Sequence, residues 1–430
     1  MNMRPELLTR FFRYVAIESQ SDGRALTLPS TAGQHALAAL LAAEMRELGM
    51  DNVVVDENAI VTAVKRGNRP SSPKIGFIAH LDTADVGLSP SISPQVLRFA
   101  GEDLCLNREK DIWFRAADHP EAMAWRGQDI IFSDGTSVLG ADNKAAIAVI
   151  MTLLSHLRTC DAHSDICVAF VPDEEIGLRG AKALDLSRFP CDFAYTIDCC
   201  ELGEVVIENF NAALAEITFT GVSAHPMSAK GVMVNPLLMA LDFVAQFDRS
   251  ETPECTEGRE GYFWFSELAA DDGNARLTVM IRDFDRGEFE HRKRRIGEAA
   301  ELIRQRYPRG QVEFEISDTY SNISDRLGSD RRSIELLLVA LKELGITPKL
   351  IPMRGGTDGA ALSARGLPTP NFFTGAHNFH SRFEFLPIAA FERSFEVALA
   401  ICKLRPSEGT ARGVIPASRT ALCAPASSRP

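Results

Sequence analysis

The chain has 430 residues, 45% of them hydrophobic, which suits two or three domains with real cores. Its 46 basic residues against 58 acidic ones leave a net charge of −12, which excludes a general nucleic-acid binder. Nine cysteines without a CxxC spacing exclude a disulfide scaffold and point to free thiols in the cytoplasm, while the charged segment from Met1 to Arg13 is no signal peptide and no apolar run of about 18 residues offers a membrane span.

Residues 5–17 and 31–49 read as amphipathic helices. In the second, Leu37, Leu40, Leu41, Met45 and Leu48 recur at helical spacing, Thr31 or Ser30 stands where a cap belongs, and Gly49 ends it. Val53 to Val55 and Ile60 to Val64 form two short strands around a turn. Lys74 to Leu81 is a buried strand that runs into His80-Leu81-Asp82. His80 and Asp82 are two apart, on one face of an extended chain. Either a carboxylate steadies a metal-bound imidazole, or the His bonds to its own strand end. Residues 84–127 are Pro- and polar-rich and weakly periodic. They read as an insertion over the sheet near the site mouth, with Trp113 and Trp125 as packing residues.

Leu139-Gly140-Ala141-Asp142-Asn143-Lys144 opens an apolar helix over 145–157. Asp142 is an N-cap carboxylate or a ligand bridging two cations, and Lys144 reads as a surface or outlying charge. The apolar run Ile166 to Val171 is the next buried strand, ended by Pro172. It delivers Asp173, Glu174 and Glu175 to its carboxyl end, where open α/β sheets place their ligands. Adjacent acids there resist ionisation unless a cation holds them; the plain alternative is a solvated acidic loop. The strand Phe193 to Ile197 ends in another acid, Asp198. Cys199 and Cys200 follow and read as small apolar groups before zinc ligands.

From about Phe210 half-buried alternation takes over, with helices at about 233–247 and 286–306 and a strand at 311–317. This is a compact α+β insert over roughly 210–321. A helix at 332–344, a strand near Leu350, the stretch Arg354 to Gly359, a short helix, a strand near 370–373 and a helix at 387–403 complete the chain. The expected fold is α/β: a mixed-sheet catalytic domain (1–209 plus 322–405) with an inserted smaller α+β domain (210–321). The Ser-, Arg-, Ala- and Pro-rich tail, 406–430, is expected to be disordered.

His80, Asp142, Glu175, Asp198 and His380 then form a set. Two imidazoles and three carboxylates suit zinc, with cobalt or manganese as alternatives. If Asp142 bridges, each of two metals receives three protein ligands and keeps an open position for water, a catalytic arrangement. Glu174, beside a ligand without being one, is placed to take a proton from the bridging water.

Longer stretches carry a resemblance. They are His80-Leu81-Asp82-Thr83, Leu139-Gly140-Ala141-Asp142 with Lys144, Pro172-Asp173-Glu174-Glu175 and Glu208-Asn209-Phe210-Asn211-Ala212. Further on come His225-Pro226, Ala229 to Asn235, Ile281 to Arg286, Arg354 to Ala360, Pro370-Asn371 and His380. From about residue 8 to 403 the chain resembles the peptidase T family, the aminotripeptidases of the dizinc aminoacylase/carboxypeptidase superfamily.

The resemblance implies two zinc ions per subunit: His80 and Asp198 on one, Glu175 and His380 on the other, Asp142 bridging. Asp82 would orient His80, and Glu174 would be the general base for a metal-bridged water that attacks the first peptide bond of a tripeptide. The insert would be a lid and homodimerisation domain, with His225 reaching a neighbouring site to stabilise an oxyanion. Asn235, Arg282 and Arg354 would engage the carbonyls or carboxylate of a short peptide, although an ion pair with Asp283 or Asp285 would explain Arg282 as well.

Three departures stand out. Asn143 occupies the place of a second Asp, lowering the local charge by one. Cys199-Cys200 replace small residues, which would make the metal more oxidation-sensitive. His377 lies three residues before His380 and competes with it as a ligand, though the flanks of His380 match better. Two other readings remain: a related amidohydrolase acting on dipeptides or acylated amino acids, and a non-catalytic, metal-stabilised dimeric scaffold.

Overall fold

The computed structural model describes residues 3–69, 72–157, 162–327 and 330–404; the expected disordered tail lies outside them. Its main sheet has eight strands in the order Asp51–Val55, Val61–Lys65, Ile166–Val171, Ile75–His80, Phe193–Cys199, Asn371–Phe373, Glu204–Val206 and Lys349–Leu350. The middle four strands are parallel. Three of them, Ile75–His80, Ile166–Val171 and Phe193–Cys199, are buried at every residue. A parallel sheet is covered on both faces, which is why these strands read as continuous apolar runs.

The two covers are distinct. Phe77, Ala79, Phe170, Tyr195 and Ile197 face a core shared with the helices Arg4–Val15, Ala32–Glu47, Ala141–Leu157 and Ile388–Lys403. Ile78, Ala169, Val171 and Ala194 face the other core, with Ala360, Ala361 and Leu362 of the helix Asp358–Ala364. Alternation therefore puts His80 and Asp198 on this second face. Ala141–Leu157 is apolar all round because it is buried along nearly its whole length.

A second, four-stranded antiparallel sheet has the order Tyr262–Ala270, Asn274–Asp283, Asn211–Thr220, Gln311–Tyr320. Ile217, Phe219, Leu277, Val279 and Ile281 from its inner face pack against the helices Pro236–Val244 and Arg286–Arg306 as a separate core. The architecture is thus the expected mixed-sheet α/β domain with a smaller α+β unit inserted.

Residues 84–127 are more ordered than their composition suggests. Pro94–Phe99 pairs with Gln128–Ser133, which pairs with Phe385–Pro387, and Leu104–Asn107 forms a hairpin with Ile112–Phe114. Phe99, Phe114, Phe132 and Phe385 make its core. The strands are only three to six residues long, too short to establish a period. Among the described residues no helix is long and apolar enough to cross a membrane.

Candidate metal centre

His80 pairs in register with Val171 on one neighbouring strand, and the Ile75–His80 strand is flanked on its other side by Phe193–Cys199. Three parallel strands thus deliver His80, the Pro172–Glu175 turn and Asp198 to one edge. The turn does not present its three acids together. Asp173 adopts a left-handed backbone, φ +55°, and its carboxylate turns to the helix Ala32–Glu47. It accepts from Ser30 N (2.7 Å), Ser30 Oγ (2.5 Å) and Gln34 Nε2 (2.7 Å). This corrects two expectations. Asp173 is a staple beneath the site, and Ser30 serves it instead of capping the helix; Thr31, at the N-cap, makes no side-chain cap hydrogen bond.

The remaining groups converge. His80 Nε2 lies 2.9 Å from Asp142 Oδ1, and His380 Nε2 lies 3.1 Å from Asp142 Oδ2 and 3.0 Å from the Glu175 carboxylate. Asp198 Oδ1 is 4.0 Å from His80 Nε2. Ligating atoms gather within 4.8 Å of one another in three sets: His80 with Asp142 and Asp198, Asp142 with Glu175 and His380, and His80 with Glu174 and Glu175. The first two sets share Asp142 alone, one oxygen toward each imidazole. On its other nitrogen, His80 Nδ1 lies 3.0 Å from the main-chain Asp82 O and 3.3 Å from Asp82 Oδ1. The Asp82 carboxylate also accepts the backbone N–H of Glu174 (3.0 Å) and Glu175 (3.2 Å), so it fixes both the ring and the acidic turn.

The electrostatics fit a cation site. Burial pushes Glu175 up to about 7, and burial likewise raises Glu174 and Asp198 well above the ordinary carboxylate range. Burial opposes ionisation of Asp142 too, but hydrogen bonds from His380 and His80 outweigh it and hold its carboxyl low. His380 is raised to about 11 by hydrogen bonds to Asp142 and Glu175. Imidazole protons thus compensate carboxylates that burial penalises, and divalent cations on the same nitrogen and oxygen donors would do so more fully.

The carrier loop of Asp142 is clamped by a residue that the sequence reading missed. Glu384 is 1% exposed and accepts the backbone N–H groups of Leu139 (2.7 Å), Gly140 (2.8 Å) and Asp142 (3.1 Å). Its only sequence signal is a lone acid between Phe383 and Phe385, four residues past His380. Helical geometry is not yet established at Asp142 and Asn143, so Asp142 is no ordinary N-cap. Lys144, read as a surface or outlying charge, is fully buried. Its Nζ donates to Ile17 O at 2.8 Å, and burial lowers its pKa to about 7.

The thiols of Cys199 and Cys200 are pushed up by burial, and none of the three sets includes them. Thiols held protonated are less reactive toward oxidants than thiolates. His377 does not compete with His380. Its ring stacks on Phe385 (centroids 4.7 Å, 8°), and its Nε2 accepts from Trp125 Nε1 at 3.2 Å.

The four residues assigned to substrate and oxyanion have other partners within the smaller unit. His225 is exposed and its Nδ1 accepts from Met227 N at 3.2 Å. Asn235 caps Pro236–Val244, accepting from Leu237 N at 2.9 Å. Arg282 donates to Ala213 O and Ile281 O and lies over Tyr320; Asp283 pairs with Arg292 instead (2.8 Å). Arg354 donates to Gly258 O, Glu260 O and Thr256 Oγ1 and stacks on Phe210 and Tyr262. A cavity of about 600 Å³ opens beside Glu175 and His380, lined also by Ser21, Asp22, Arg24 and Asp85.

Comparison with known proteins supplies a context for this geometry. The model of peptidase family M20/M25/M40 matches residues 140–403. A peptidase T-like protein of Rhizobium meliloti is 68% identical over 408 residues, covering 95% of this chain and all of the relative. Peptidase T of Caldanaerobacter subterraneus subsp. tengcongensis is 41% identical over 408 residues, 94% of this chain and all of that one. The crystal structure of aminopeptidase PepT from Bacillus cereus superposes with a TM-score of 0.73 at 21% identity, covering 93% of this chain and 98% of that one, a likeness of fold.

Proposed function

For a chain that belongs to peptidase family M20/M25/M40, we propose the activity of a tripeptide aminopeptidase that removes the N-terminal residue at a two-cation centre. Zinc is the proposed metal, two ions per subunit, with cobalt or manganese as substitutes. The observation that carries the reading is the sharing of one carboxylate, Asp142, by two imidazoles through different oxygens.

His80, Asp142 and Asp198 would hold one cation, and Asp142, Glu175 and His380 the other. Bound there, the cations would polarise the scissile carbonyl and acidify a water. The chain's own residues do the rest. Asp82 keeps the Nδ1 proton of His80 on its own side, leaving Nε2 for the centre. Glu174 has the property a proton shuttle needs: burial and neighbouring acids raise its pKa well above the ordinary value, toward the operating range of a base. It takes a proton from the attacking water and returns it to the leaving amine. The cavity beside Glu175 and His380 has room for the first residue of a peptide and carries acids suited to a free α-ammonium.

The segment 210–321 serves in this reading as a lid and dimerisation domain on the body formed by 1–209 and 322–405. His225 reaches the active site of a second copy and stabilises the oxyanion there; Asn235, Arg282 and Arg354 hold the peptide's carbonyls and carboxylate. The test is product identification after incubation with a plain tripeptide, a dipeptide and an acylated amino acid. Release of the first residue from the tripeptide alone supports the reading. Equal turnover of the other two would move the protein to a sister specificity.

A further inference from the structure

Asn143 directly follows the shared carboxylate of Asp142 and is 1% exposed. Its Nδ2 lies 2.8 Å from Ile197 O and 2.8 Å from Asp198 Oδ1. A main-chain carbonyl only accepts, so the amide nitrogen, not the oxygen, faces Ile197. The second proton of the same NH₂ group is then directed at Asp198. From its other side, Asp198 is tied through its backbone N–H to Asn371 Oδ1 at 2.7 Å. The oxygen that Asn143 holds is also the one 4.0 Å from His80 Nε2.

We infer that Asn143 is a positioning residue that holds the Asp198 carboxylate toward His80 and Asp142, and so sets the cation affinity of that half of the centre. The inference rests on the two-cation reading above. The amide offers both protons at once; an Asp here, the residue that the family carries, offers at most one, and only while it is protonated. Its side-chain hydrogen bonds reach the His80–Asp198 half and not Glu175 or His380. The side chain is therefore a selective lever on the His80–Asp198 side, where outlying partners of metal ligands typically change affinity about 10- to 100-fold.

The experiment is zinc titration of the full-length metal-free protein against a chromophoric chelator, for wild type, Asn143→Ala and Asn143→Asp. Thermal unfolding of the metal-free forms and visible absorption of the cobalt-loaded forms are measured alongside. One of two binding steps should weaken about 10- to 100-fold in Asn143→Ala and by less in Asn143→Asp, with the other step unchanged and one component of the cobalt spectrum altered. Two steps at wild-type affinity in both folded variants, with an unaltered cobalt spectrum, would overturn the inference while leaving the centre intact. Equal weakening of both steps would overturn its selectivity. Wild type that takes up no cation would overturn the two-cation reading itself.

Discussion

Glu384 accepts the backbone N–H of Asp142 at 3.1 Å, so the segment that supplies His380 also clamps the loop that supplies the shared carboxylate. The two are 242 residues apart in sequence. Glu384→Ala would leave three buried N–H donors without an acceptor, at a cost of about 1–3 kcal/mol for an unsatisfied group. The expected result is a lower unfolding free energy and weaker cation binding, with both losses in the same variant. Equilibrium denaturation and chelator competition check this; undiminished stability and affinity would contradict the clamp.

Glu174 is proposed as the proton shuttle, with its role in turnover and not in holding a cation. Glu174→Ala should retain two cations per chain and lose turnover by about a hundred- to ten-thousand-fold, the usual range for a general base. Metal analysis beside steady-state kinetics separates the two roles. Loss of a cation in this variant would make Glu174 a ligand, as its grouping with His80 and Glu175 allows.

Lys144 gives the metal-free protein a pH dependence of its own. Burial lowers its pKa from 10.5 to about 7 in the folded protein. Between those values the unfolded chain binds a proton that the folded chain has released, so this group makes stability rise with pH across that window. The wild-type unfolding free energy minus that of Lys144→Met should therefore increase from pH 7 toward 10. A flat difference would show that the buried amine keeps its proton.

Cation binding should release protons. In the metal-free protein, hydrogen bonds to Asp142 and Glu175 raise His380 to about 11. In His80 burial acts downward, but bonds to Asp142 and Asp82 raise it well above its ordinary value. Both rings must give up Nε2 to a cation, so affinity rises with pH through the neutral range. Calorimetry in buffers of different ionisation enthalpy reads the proton count directly; binding without release would contradict the ligand set.

Much of this architecture was legible in the chain because three of the central strands, Ile75–His80, Ile166–Val171 and Phe193–Cys199, are largely apolar and lead into a His or an acid. His80, Glu174, Glu175 and Asp198 announce themselves that way. Asp173 is one more acid in the same turn; its left-handed backbone and its Ser30 and Gln34 partners across the fold decide its direction. Lys144 is not a surface charge, one of the two readings of its sequence: it is buried, and its partners, the Ile17 carbonyl 127 residues away and the charges of Asp82, Glu18 and Glu384, are brought to it by folding. Glu384 was invisible for the same reason: its partners are backbone groups brought near by folding. In 84–127, short aromatic strands gave no period, although they build a core of their own.

The central claim is a two-cation centre, joined through Asp142, that hydrolyses the first bond of a tripeptide. Its most direct test is the rate of N-terminal residue release from a plain tripeptide as zinc is returned to the chelated protein, with bound metal counted at each step. The account predicts no release without metal, full release when two cations are bound, and little release from the matching dipeptide or tetrapeptide. Full activity in the metal-free protein, or two bound cations with no hydrolysis of any short peptide, would contradict it.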